Sequence, residues 1–156
     1  MNAVDYLKNV QEQLKGLEAD ATPAFGVMTP QHMLEHLIWV TKSSIKDFGP
    51  APDRSELPEK VLKFMHFIES GKPMKYIEKD VTAADLNDLR LESLEAAKVG
   101  VAEAIDRLIN DYNSRGDKPY FNPMMGVVSK EHMIDFHRRH FVHHLESQYG
   151  LDAVSA

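Results

Sequence analysis

Ser129-Lys-Glu-His132-Met-Ile-Asp-Phe-His137-Arg-Arg-His140-Phe-Val-His143-His144-Leu-Glu-Ser-Gln148-Tyr-Gly150 reads as one amphipathic helix. It opens on a serine, a hydroxyl N-cap, and stops at a glycine suited to the C-terminal turn. With His140 at zero on a helical wheel, Met133 falls near 20°, His144 near 40° and His137 near 60°. Phe141, Ile134 and Leu145 follow at roughly 100–140°. Asp135, Arg138, Arg139, Val142 and Glu146 take most of the opposite side. Three imidazoles therefore share an inward arc, with His143 on its edge. Buried polar groups need partners, and two histidines four apart on one helix can grip a single ion. A third imidazole is available at His36, 104 residues before His140.

Outward from this segment, three more long helical patterns appear. One spans about Ala3 to Glu18, with Val4, Leu7, Val10, Leu14 and Leu17 near one face. The next opens at Thr29-Pro30, an N-cap followed by proline at the first helical position, and ends near Gly49-Pro50. The longest runs from about Thr82 to Ser114, with Leu86, Leu89, Leu94, Val101, Ile105, Leu108 and Tyr112 as its buried stripe. A short helix around Ser55 to Glu69 lies in the long connection between the second and third patterns. No useful period-two alternation is visible, and the Pro/Gly clusters at 49–52 and 118–123 separate helices. The expected class is all-α, a single domain over residues 1–156. Its expected architecture is a four-helix bundle with a long crossover between the second and third helices.

The stretch Gly26-Val-Met-Thr-Pro-Gln-His32-Met-Leu-Glu-His36 resembles Gly126-Val-Val-Ser-Lys-Glu-His132-Met-Ile-Asp-Phe136, offset by 100 residues without a gap. Each supplies a glycine, a hydroxyl cap three residues later and a His-Met pair in the first turn. Two helical hairpins related by approximate two-fold symmetry would give this pattern. His36 borders the apolar face formed by Met33, Leu37 and Val40. His32 and His132 read as first-turn surface or capping residues, and His66 as a packing or surface residue. Trp39, Ser43 and Ser44 lie below His36, where they could line a pocket, and Gln148 could orient an imidazole or donate to a substrate. The methionines read as fillers, and Glu92, Glu95, Glu103 and Asp106 as solvated faces.

Composition narrows the chemistry. The 156 residues carry a formal net charge of −6, which argues against generic nucleic-acid binding. No apolar run is long enough to span a bilayer, and no signal peptide is visible, so cytoplasmic residence is expected. With no cysteine there is no disulfide, thiolate nucleophile or Cys-based zinc site. A metal would have to be held by His with Asp, Glu or water.

The pair of segments Met28-Thr-Pro-Gln-His-Met-Leu-Glu-His36 and His140-Phe-Val-His-His144-Leu-Glu-Ser-Gln148, with their spacing, resembles the DinB-like superfamily. The resemblance implies a four-helix bundle with a long crossover, often homodimeric. It also implies a divalent metal ion, commonly zinc or nickel, on His36, His140 and His144. Thiol-dependent S-transferases and a maleylpyruvate isomerase are among such proteins. The chain departs from the pattern at Val40, where an Asp is common. The functional expectation is a metal-dependent enzyme on a small-molecule substrate. It would be either a transferase using a low-molecular-weight thiol or a metal-water hydrolase, with His137 or His143 as proton shuttle or imidazole orienter. The alternative is a non-catalytic bundle that is metal-stabilised or binds a ligand.

Overall fold

The computed structural model describes residues 1–77 and 80–153. The chain begins with a helical run in two pieces, α1 (Ala3–Lys8) and α2 (Val10–Leu14). Asn2 caps it by accepting from the Asp5 amide. The expected single helix is interrupted at Asn9, whose side-chain amide donates to the Asp5 carbonyl at 2.9 Å and competes with the backbone ladder.

Helix α3 (Pro30–Ser44) starts where Thr29-Pro30 predicts, with the Thr29 hydroxyl accepting from the His32 amide. It ends several residues before Gly49. Ser44 Oγ donates to the Thr41 carbonyl and the Asn122 amide donates to the Ser43 carbonyl, so the last turn is closed by side chains. Helix α4 (Glu59–Ser70) follows a short 3-10 turn at Arg54–Glu56 and closes on Gly71 in the left-handed region, φ +69°.

The third long helix is shorter than the sequence suggests. Thr82 and Asp85 form a capping box, but it closes only the 3-10 turn Ala83–Asp85, and Leu86 at ψ 145° leaves the helical region. Residues 86–93 then run along α3. Glu35 accepts from the Arg90 and Leu91 amides, Gln31 donates to the Leu91 carbonyl, and His32 Nε2 donates to the Asn87 carbonyl. Helix α5 (Leu94–Ser114) starts only at its own cap, Ser93. Leu89, expected in a buried stripe, is 45% exposed.

The all-α expectation needs one correction. An antiparallel hairpin of β1 (Tyr120–Asn122) and β2 (Gly126–Val128) pairs Tyr120 with Val128 and Asn122 with Gly126. Strands of three residues are too short to show a period of two. The chain is otherwise mostly helical.

Helix α6 (Lys130–Phe141) is capped by Ser129 and continues into a π-helical turn, Val142–Gln148. The turn closes with Leu151 N on Leu145 O and Gly150 N on Glu146 O, with Gly150 in the left-handed region at φ +66°.

Two apolar cores meet on α6. The larger joins Leu7, Val10 and Leu14 to Leu34 and Leu37 of α3, Val101, Ile105 and Leu108 of α5, and Ile134, Phe141 and Leu145. The smaller joins Met65 and Ile68 of α4, Tyr120, Met125 and Val128 of the hairpin, and Met133 and Phe136. The histidine arc of α6 runs between these sets on the wheel.

Candidate metal centre

Helix α3 delivers His36, the last turn of α6 delivers His140, and the π turn delivers His144. His140 Nε2 lies 3.0 Å from His36 Nε2 and 3.1 Å from His144 Nε2. The three ligating atoms all fall within 4.8 Å of one another. The rings meet edge to face, with centroids 4.8–5.0 Å apart. Tetrahedral zinc with Zn–N bonds of about 2.0–2.1 Å separates its nitrogen ligands by roughly 3.3 Å. The two sides that meet at His140 are close to that length. His140 and His144 are buried and His36 is half-buried.

Hydrogen bonds set the protonation of His144. The Gln148 amide nitrogen donates to the Phe25 carbonyl, so Gln148 Oε1 is left to accept from His144 Nδ1–H at 2.7 Å. His144 Nε2 is then a bare lone pair facing the triangle. This is how outer partners orient metal-binding imidazoles.

Burial lowers the pKa of all three. It holds His140 well below the ordinary value, with the adjacent His144 and His36 adding to the effect. It takes His144 down to about 3 against the opposing bond from Gln148, and it lowers His36 as well. Each neutral imidazole has one N–H and one lone pair, and His140 Nδ1 is buried without a partner, so the three rings do not satisfy one another. A divalent cation answers all three at once. The donor set fits such an ion and leaves at least one coordination position to a water or substrate.

The other sequence candidates lie elsewhere. His137 is fully buried but turns to α3, with Nε2 2.7 Å from Ser44 Oγ. Ser44 spends its proton on the Thr41 carbonyl, so His137 Nε2–H donates to it. His143 is half-buried, with its ring against Phe25 (5.1 Å) and His144 (4.9 Å). Burial lowers its pKa, partly offset by a hydrogen bond with the Met74 backbone. Trp39 is 53% exposed, and Ser43 is occupied through its carbonyl by Asn122. His32 and His132 both fold back on their caps, Nδ1 lying 2.6 Å from Thr29 Oγ1 and 3.0 Å from Ser129 Oγ. His66 is exposed.

Two features escaped the sequence reading. Arg139, on the polar side of the wheel, is 3% exposed and donates to the Ile68 and Lys72 carbonyls at the end of α4 while paired with Asp135. The i,i+4 Asp-Arg spacing was its available signal. A cavity of about 390 Å³ also reaches His144, His143 and Gln148, with Phe25, Gly26 and Tyr76 in its wall. The stretch from Thr22 to Gly26 reads in sequence only as a helix breaker.

Comparisons of the chain with known protein families, with curated proteins and with solved structures each find no match. Among the described residues no helix is long and apolar enough to cross a membrane.

Proposed function

We propose that the chain is a divalent-metal enzyme of four-helix-bundle type. His36, His140 and His144 hold the ion, and residues 45–93 form the crossover. The observation that carries this reading is the convergence of three buried or half-buried imidazoles with no carboxylate among them. Three ligands leave the ion open, as in catalytic rather than structural zinc sites. When bound, such an ion lowers the pKa of a coordinated water toward ~7 or stabilises a thiolate.

The chain's own groups supply the rest. Gln148 holds His144 in the tautomer that presents Nε2. The cavity beside His144 admits a small molecule, and its wall is mainly apolar. His143 lines that cavity and is the group placed to take up a proton released on the substrate. The reaction is thiol transfer to a small electrophile or hydrolysis. The resemblance of the His36 and His140–Gln148 segments to the DinB-like superfamily supports the first, with zinc or nickel as the ion and a homodimer as the assembly.

Elemental analysis of untagged protein, exposed to zinc and then nickel and dialysed, tests the centre. About one equivalent per chain is expected, and less than about a tenth overturns the reading.

A further inference from the structure

The cavity beside His144 has a composition of its own. Phe25 and Tyr76 stack with centroids 4.7 Å apart at 30°, giving one continuous aromatic wall from two separate connections. Val27, Ile77, Val81 and Leu86 extend the apolar lining. Ile77 is 73% exposed and Val81 40%, so large apolar side chains are left in water around it. Gly26, at φ +77°, brings the main chain close to this wall. A Cβ there would sit 3.2 Å from Gln148 Nε2 and 4.0 Å from Tyr76. At 390 Å³ the space matches pockets for small organic ligands, about 300–1,000 Å³.

Besides the histidines, two charged side chains line it, Lys75 and Asp85. Asp85 is already engaged, with Oδ2 accepting from the Thr82 amide at 2.7 Å and the Thr82 hydroxyl at 3.3 Å. None of the ion pairs among the described residues includes Lys75. The lining thus combines an aromatic and aliphatic surface with one positive charge that no ion pair among the described residues takes up, and one carboxylate held in its own turn. That pairing suits a ligand with an apolar body and a single anionic group.

We propose that this cavity binds a small organic carboxylate, with the carboxylate on Lys75 and the apolar body along Phe25 and Tyr76. The inference rests on the metal-centre reading in one respect, since His144 belongs both to the triangle and to this wall. It makes Lys75 a specificity residue, which a largely exposed lysine on a loop would not otherwise be.

The test is calorimetric titration with 2-naphthoate and its neutral counterpart 2-naphthamide, on zinc-loaded protein and again after chelation. Wild-type protein should prefer the carboxylate by about tenfold, the effect of one charged hydrogen bond. Lys75→Met should reduce that preference to within about twofold while leaving naphthamide affinity unchanged, and Tyr76→Ala should weaken both ligands. A preference that survives Lys75→Met overturns the proposal, because the anion is then read elsewhere. So does failure of both ligands to bind wild-type protein at millimolar concentration. Zinc uptake without ligand binding sinks this inference and spares the metal centre. A Lys75-dependent preference in protein that takes up no zinc does the reverse.

Discussion

The segments 26–36 and 126–136 open in the same way and diverge in what they carry. Both start on a glycine in the left-handed region, φ +77° and +86°. Both cap the helix with a hydroxyl, fold a histidine back on that cap, and bury a methionine completely. The chemistry then separates. At the third position after the methionine pair, one has His36 and the other Phe136, which stacks on His140 at 5.8 Å. Farther along, Leu37 answers to His137, Val40 to His140 and Ser44 to His144. The first helix stays α-helical to Ser44, and the second widens into a π turn from Val142. Capping rules repeat wherever a helix must start, whereas ligands sit only where two helices face each other.

The largest effect should come from breaking this asymmetry at the ligands. His36→Ala, His140→Ala or His144→Ala should each lower zinc affinity by more than about a hundredfold, beyond the loss usual for outer partners. His32→Ala and His132→Ala, the matched pair on the caps, should leave it unchanged. Competition with a chromophoric chelator reads both, and equal losses at all five positions would dissolve the comparison.

Next in size is the contrast between Leu37 and His137. Burial takes the His137 pKa down to about 3, below the ordinary 6.5 that it regains on unfolding. Between those values the unfolded chain binds a proton that the folded chain refuses. The stabilising contribution is therefore complete above pH 6.5 and is lost as pH falls toward 3, at up to ~1.4 kcal/mol per pH unit. His137→Leu, which makes this position like its counterpart, should flatten the fall. Urea unfolding between pH 7 and 5 measures it, and identical slopes in the two proteins would refute the buried neutral form.

The smallest contrast is between the two glycines. An alanine at either meets the positive-φ penalty of about 1–2 kcal/mol. Gly126→Ala should cost more, because its Cβ would lie 2.9 Å from Met65 Sδ, inside the smaller core. Gly26→Ala instead presses on Gln148, and should weaken zinc binding while costing less stability. Denaturant midpoints and zinc affinity, measured on both variants, separate these two outcomes.

Much of this was legible in advance for local reasons. Thr29-Pro30 and Ser129 mark true helix starts because a cap needs only its own turn. The inward arc of His137, His140 and His144 follows from periodicity alone. What the residues do across space was not legible. Thr82 and Asp85 make a genuine capping box that closes one turn and no helix, since Glu35, Gln31 and His32 hold the following residues extended. His137 reads as a proton shuttle or imidazole orienter until Ser44 is seen opposite it. The π turn leaves no compositional trace, and the hairpin is shorter than the pattern that would announce it.

The contact between His36 and His140 joins residues 104 apart in a chain that has no cysteine. Closing a loop of that length costs about 4 kcal/mol in chain entropy, by the logarithmic length dependence. His140 and His144 are brought together by α6 and its π turn, but His36 joins them only where α3 docks against that segment. Assembly of the triangle therefore needs a long-range contact as well as a local one. An ion held there would stabilise the native state by linkage, binding the folded chain and not the unfolded one, whereas a long-range disulfide constrains the unfolded ensemble. In that role the ion would report that the whole chain, and not one helix, has reached its native arrangement.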